Sequence, residues 1–230
     1  MTPDAFESDM RRWHQIAVEA HSRHAQGGNL YVRMQSPVEA AAHRRVAELR
    51  RNARRILEIG IGGGEHLAFT GGAADADLYV GLDIDRDYAR LSRQQLRLPV
   101  LVADSSRLPF ASSSFDTVLA LSVLEHVDGL ESTVAELGRV LMPGGRLLVV
   151  IPTNGSLAIS MFRAVVTYPF MRSRGIENPS LVWHYLNVNG FLRVQSILAK
   201  RMVIEHASGA PVRWLPWWLS PMYVFDCRNP

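Results

Sequence analysis

Three carboxylates, a run of glycines and three histidines are the residues whose types and spacing could do chemistry. The stretch "LEIGIGGGEH", residues 57–66, places four glycines within five positions directly after a short apolar run. Glycine that dense costs chain entropy, so the loop should need backbone that approaches something closely. Glu58 stands two residues before it. Asp83 closes the run "LYVGLD" at 78–83, and Asp104 closes "PVLVAD" at 99–104, followed by Ser105. A carboxylate at the end of a strand can accept from the hydroxyls of a ribose, and one at the next strand edge from an exocyclic amino group. Imidazoles titrate near neutral pH and are the candidates for proton transfer. They are His126 in "LEHV", His184 in "WHY" and His206 at the end of "MVIEH".

The spacing narrows the ligand. The dinucleotide fingerprint G-x-G-x-x-G, counted from Gly60, wants its third glycine at position 65, where this chain has Glu65. The G-K-[ST] of a phosphate loop is absent, and Lys200 is the sole lysine. Two carboxylates beside the loop would also repel a pyrophosphate. Glu58, Gly60, Gly62, Gly64, Asp83 and Asp104 therefore describe a pocket for an adenosine without phosphates. Asp85 and Asp87 read as caps of the following helix.

Five apolar runs must position these residues: 55–60, 78–83, 99–104, 115–122 and 145–152. None alternates with polar residues, as parallel strands covered on both faces do not. Helical spacing in "DYARLSRQQL" and "LESTVAELGRVL" separates them, and "MPGGR" at 142–146 reads as a turn. The expectation is an α/β fold with a doubly wound, mostly parallel seven-stranded sheet. "MVIEH" and "MYVFDC" supply the last strands, and "NGFLRVQSILAK" the last helix. Residues 1–52 read as an N-terminal helical cap, with one helix over 8–25 and a second starting at Ser36 and Pro37. Residues 53–230 form the main domain. Within it, 153–187 read as a lid over the carboxyl edge, carrying Phe162, Val165, Val166, Tyr168, Phe170 and Trp183.

Bulk properties exclude some classes. A net charge of +3 is too small to imply nucleic acid. A single cysteine, Cys227, forbids an intrachain disulfide and suits a reducing cytoplasm. The N-terminal residues lack an apolar signal region, and no run approaches the ~20 apolar residues of a membrane span. Six arginines between 44 and 55 read as a solvated helix face, with a phosphate or anionic-lipid patch as the alternative. Trp214, Trp217 and Trp218 read as core packing beside the last strands, with a dimer contact or a membrane interface as alternatives. His21 and His24 lack a third ligand, so no metal site is expected.

"ILEIGIGGG", "VGLDID", "VADSSRLPFASSSFDTVLALSVLEHV" and "LMPGGRLLVVIP" resemble, in order, the motifs of class I S-adenosylmethionine-dependent methyltransferases of the small-molecule type 11 kind. The resemblance covers residues 54–152. It implies S-adenosylmethionine as cofactor and S-adenosylhomocysteine as product. Gly60, Gly62 and Gly64 would face the methionine portion, with Glu58 contacting the ligand or bracing the loop. Asp83 would hold the ribose, Ile84 would belong to the same cofactor site, and Asp104 with Ser105 would frame the adenine. Leu121 and Ser122 would border the sulfonium. Glu58, Ile61 and Gly63 stand where the family often has Asp, Cys and Thr. The expected chemistry is O-methylation of a small apolar or lipid-linked acceptor, with His126 and His184 as candidate catalytic bases. N- or C-methylation and a non-catalytic cofactor-binding role are the alternatives. A nucleic-acid substrate is disfavoured, because "LSVLEH" stands where amino-methylating enzymes of that kind carry an Asn/Asp-Pro-Pro-aromatic motif. A cytoplasmic monomer or homodimer is expected, with peripheral membrane contact as a further option.

Overall fold

Alternation along strand β1 (Arg55–Ile59) sends Leu57 and Ile59 to one face of a sheet and Ile56 to the other, and all three are buried. Both faces of this strand must therefore be covered, as the unbroken apolar runs require. The computed structural model describes the backbone of residues 3–22, 30–64, 66–70, 73 and 75–230. His24 lies outside the described residues, as do the side chains of His21, Tyr31 and Ser36.

Six further strands complete the sheet: β2 (Leu78–Asp83), β3 (Val100–Val102), β4 (Phe115–Leu121), β5 (Leu141–Pro152), β6 (Val203–Ala210) and β7 (Met222–Arg228). Their order is β3-β2-β1-β4-β5-β7-β6, with β7 antiparallel to both neighbours and every other pair parallel. This is the expected seven-stranded sheet. The order reverses between β1 and β4, and the glycine loop leaves β1 at that point. Crevices at such a reversal are where open α/β sheets bind ligands.

Helices α5 (Leu130–Val140) and α9 (Phe191–Arg201) cover one face, burying Leu130, Val134, Leu137, Phe191 and Val194 against Leu57, Val118 and Val149. Helix α2 (Leu30–Leu49) and the short α3 (Leu67–Thr70) cover the other, where Ala42, Val46 and Leu67 meet Ile56, Leu119 and Leu148. Helix α4 (Arg86–Leu96) follows β2 and buries Ala89 with Ile61 and Val100. After β5 come α6 (Leu157–Phe162), a π-turn (Arg163–Thr167), α7 (Tyr168–Ser173) and α8 (Pro179–Leu186). Helix α1 (Pro3–Ser22) packs on this segment. Trp13 meets Trp183 with ring centroids 6.5 Å apart, and Asp9 accepts from the N–H groups of Glu177 and Asn178.

Several boundaries differ from the sequence expectation. α1 starts at Pro3, not at residue 8. α2 runs through Pro37 from Leu30 rather than starting there, although proline removes one helical N–H. β5 begins at Leu141 and not after the glycine pair. Phe115 pairs with Leu141 and Thr117 with Arg146, so residues 142–145 bulge out of register, with Gly144 at φ +73°. His206 sits within β6 opposite Asp226, away from the carboxyl edge. Trp217 does stack on Phe191, at 5.2 Å, but Trp214 and Trp218 are exposed and not core.

The arginines before β1 are tied mostly to the amino edge and neighbouring acids. Arg54 and Arg55 donate their backbone N–H groups to Asp116, and Arg45 pairs with Glu48. Cys227 is buried in β7, where burial and the neighbouring Asp226 charge push its thiol up to about 12.

Arg146 of β5 grips the buried Asp226 of β7 with two guanidinium nitrogens and donates a third hydrogen bond to the Leu49 carbonyl at 2.8 Å. One side chain thus joins the antiparallel edge of the sheet to the end of α2. Arg146→Ala should strand the Asp226 carboxylate and cost about 3 kcal/mol of unfolding free energy, read from the urea midpoint.

Candidate active site

The glycine loop takes backbone angles closed to most side chains. Gly60, Gly62 and Gly64 have φ of +61°, +56° and +74°. A Cβ on Gly60 would lie 2.4 Å from Val123 Cγ2, and one on Gly64 would lie 2.3 Å from Leu96 Cδ1. Backbone and side-chain bonds then fix the loop to the next strand. Ile61 donates to the Leu82 carbonyl at 3.0 Å, Gly62 donates to Asp83 Oδ2 at 3.0 Å, and Ser92 Oγ donates to the Gly62 carbonyl.

Asp83 is itself nearly buried. Its other oxygen, Oδ1, accepts from the Asp85 N–H at 2.9 Å. Asp85 caps α4 by accepting from Asp87 and Tyr88, as the capping reading expected. Beside Asp83, Ile84 is 70% exposed, and Leu101 and Val102 at the end of β3 are exposed as well. Asp104 lies just past β3 in an exposed turn, accepting from the Ser106 N–H at 2.8 Å, while Ser105 is buried near Thr133. The exposed Ile84 beside Asp83, next to the glycine loop, offers apolar surface to a flat base carried on a ribose.

Glu58 is held from behind. It is buried, and its Oε2 accepts from Tyr79 Oη at 2.5 Å and lies 3.1 Å from His66 Nε2. Burial and the Glu58 charge raise the Tyr79 phenol well above its ordinary value, so it stays a donor. The His66 ring packs edge-on against His43 at 5.9 Å. Sequence reasoning missed His66 and Tyr79. Strand register carried the signal: Tyr79 pairs with Ile56 and Gly81 with Glu58, which puts Tyr79 diagonal to Glu58 on one face.

The loop after β4 forms the other wall. Leu121 ends the strand almost buried, and Ser122 adopts φ +52°, a left-handed conformation that is rare outside glycine and concentrates at functional sites. His126 Nδ1 lies 2.7 Å from the Leu186 carbonyl. A carbonyl only accepts, so Nδ1 carries the hydrogen, and in the neutral ring Nε2 keeps its lone pair. That nitrogen lies 3.8 Å from Glu125 Oε1. Glu125 is buried, its Oε2 has no hydrogen-bond partner among the described residues, and burial raises its carboxyl above the ordinary range. Asn189 laces the same loop, donating to the Leu124 and Val127 carbonyls at 2.9 and 2.6 Å.

Above this wall, Asn154 donates to Asn187 at 2.9 Å, and Arg163 donates to Asn154 while lying 4.6 Å over the Trp183 ring. The His184 side chain is exposed on α8 and, among the described residues, makes no hydrogen bond. His14 of α1 approaches Asp85 and Asp87 at 3.6 and 3.8 Å. These three could meet around an ion, with Asp85 offering Oδ2 while its Oδ1 caps α4. A cavity of about 380 Å³ lined by Arg44, Arg50, Arg51 and Phe69 lies beside the amino edge, at the other end of the sheet.

A family model described as a methyltransferase domain matches residues 57–149. The chain is 32% identical over 188 residues to the phthiotriol/phenolphthiotriol dimycocerosates methyltransferase 1 of Mycobacterium ulcerans, covering 75% of this chain and 69% of that protein. It is 35% identical over 133 residues to the demethylmenaquinone methyltransferase of a Mycobacterium species, covering 53% of this chain and 54% of that protein. Beyond the first of these, the chain spans about half the length of most of the curated relatives it matches. In fold it is similar to a Thermotoga maritima methyltransferase described as a possible histamine N-methyltransferase. The TM-score is 0.64 at 18% identity, over 95% of this chain and 100% of that one. The N-methyltransferase NodS of Bradyrhizobium japonicum, solved with S-adenosyl-L-homocysteine, gives a TM-score of 0.59 at 15% identity, over 93% and 98% of the two chains. With its loop, strand-end carboxylates and sheet order, the chain belongs to the class I S-adenosylmethionine-dependent methyltransferases.

Proposed function

We propose that the chain methylates a hydroxyl on a small apolar or lipid-linked acceptor, with His126 as the base. The observation that carries this is the His126 ring: its Nδ1–H is anchored on the Leu186 carbonyl, which leaves Nε2 as the acceptor beside the end of β4. Relatives named for phthiotriol dimycocerosates and demethylmenaquinone are in keeping with an apolar or lipid-linked acceptor.

Asp83 takes the ribose hydroxyls at the end of β2. Ile84 packs on the adenine, and Asp104 with Ser105 meets its edge. Gly60, Gly62 and Gly64 line the methionine end, where Glu58 acts through the loop it braces. Leu121 and Ser122 border the sulfur. Once bound, the cofactor supplies a methyl group on a sulfonium, a good leaving group, so positioning carries much of the rate. Residues 153–187 close over the acceptor as a lid. His126 Nε2 removes the hydroxyl proton and becomes the imidazolium, and that charge draws the buried Glu125 carboxyl beside it toward its ionised form. His184 is the second candidate base, on the lid itself.

Incubation with methyl-labelled cofactor and cell extract should place the label in the lipid fraction. Label confined to polysaccharide or macromolecules would overturn the acceptor class. Asp83→Asn should weaken cofactor binding about 10–100-fold by calorimetry, since each lost charged hydrogen bond is worth ~1.5–3 kcal/mol. His126→Ala and His126→Asn should bind cofactor as before yet turn over about 10²–10⁴-fold more slowly. Full activity in both, with loss in His184→Ala, would move the base to the lid.

Glu125 has a stability signature of its own. Its carboxyl is raised in the folded chain, so it contributes stability that is full below the ordinary carboxylate range and is lost as pH rises through the raised value. Glu125→Gln cannot ionise. Urea unfolding of the variant and the wild type should show the same pH dependence in acid, and the wild type alone should weaken as pH rises.

A further inference from the structure

Solvent-facing helix surfaces in globular proteins are normally charged. The continuous helical run 157–173 inverts that rule. Its exposed positions are Leu157, Ser160, Met161, Ala164, Val165, Pro169, Arg172 and Ser173, while Arg163 and Thr167 turn inward. Leu157, Met161 and Val165 recur at steps of four and are 57%, 60% and 72% exposed. In an α-helix a four-residue step over-rotates, whereas the wider π-turn under-rotates it. The π-turn at 163–167 thus keeps Val165 on the same face as Leu157.

Topology places a second apolar segment beside this one. β7 runs antiparallel to β5, with Met222 opposite Pro152, so the segment entering β7 and the segment leaving β5 rise from the same carboxyl edge. Leu157 donates its backbone N–H to the Trp218 carbonyl at 3.1 Å, which joins the two. Trp214 is 82% exposed, with Trp218 and Leu219 also facing solvent. Charge follows the same division. Residues 153–176 and 207–221 hold Arg163, Arg172, Arg174 and Arg213 and no acidic residue, while the rest of the chain has 21 basic and 22 acidic side chains. Arg163 is held beneath the helix and Arg213 pairs with Glu48, which leaves Arg172 and Arg174 exposed at the end of the apolar stripe.

We infer that Leu157, Met161, Val165, Trp214 and Trp218 form a docking face for an anionic lipid bilayer, placing the carboxyl edge of the sheet against the membrane. Tryptophan suits the headgroup level, aliphatic side chains the acyl boundary, and arginine the anionic surface. This goes beyond the methyl-transfer reading and stands without it, because docking needs neither acceptor nor cofactor.

The test is co-sedimentation of the full chain with vesicles of phosphatidylcholine alone and of phosphatidylcholine mixed with phosphatidylglycerol. The chain should pellet with the mixed vesicles, less with the neutral ones, and be released by salt. Met161→Glu/Val165→Glu should lower partitioning about tenfold or more, with melting temperature and S-adenosylmethionine binding unchanged. Should that double variant melt early, Trp214→Ala decides instead, since its side chain is almost wholly exposed. Failure of the wild type to pellet with either vesicle overturns the inference, and so does equal pelleting of folded variants. Concentration-dependent self-association without vesicle binding would assign the face to a second copy of the chain and equally overturn it.

Discussion

Asp83 stands at the end of β2 with its two oxygens committed to backbone N–H groups on opposite sides, Gly62 of the loop and Asp85 of the α4 cap. A carboxylate accepting two backbone hydrogen bonds is stiff, and it carries a negative charge that those N–H dipoles partly offset. The glycine loop, the strand end and the first turn of α4 are thereby held in one frame. Ile61 and Ser92 add bonds to the same frame. The site's width is set here, because a loop free to drift would carry Gly60 and Gly64 away from the strand-end carboxylates.

Two further carboxylates work from inside. Glu58 is satisfied by Tyr79 and His66, so its burial is compensated and the strand-to-loop corner becomes rigid. Glu125 is different. It is buried with one oxygen unpartnered among the described residues, next to an imidazole whose orientation is fixed by the Leu186 carbonyl of α8. A stabilising network and a strained one thus flank the same crevice. Sites commonly store their cost in this uneven way, with rigidity on the binding side and an uncompensated group on the reacting side.

Much of this was legible in the chain, for identifiable reasons. Strands buried on both faces have a plain apolar signature, and glycines that must take positive φ cannot be disguised. Carboxylates at strand ends could be placed because parallel topology sends every such end to one edge. What escaped was what depends on register and on distant chain. Tyr79 and His66 reach Glu58 only once β1 and β2 are aligned. Asn189 and Leu186 reach the 124–127 loop from 60 or more residues away in sequence. Pro37 misled because Ser-Pro has the local look of a helix start, and tertiary packing of α2 overrides it. The tryptophan-rich segment misled because tryptophan suits both a core and an interface, and only topology separates Trp217 from its two neighbours.

The buried thiol of Cys227 gives the sheet a silent reporter. It lies on β7 opposite Leu147 and Ile204, in the middle of three strands, with its proton held far above neutral pH. Thiolate is the reactive form, so modifying reagents cannot reach or activate it in the native protein. The rate at which such a reagent consumes the chain therefore measures how often the β5-β7-β6 edge opens. One residue converts an alkylation time course into a clock for the opening of that edge.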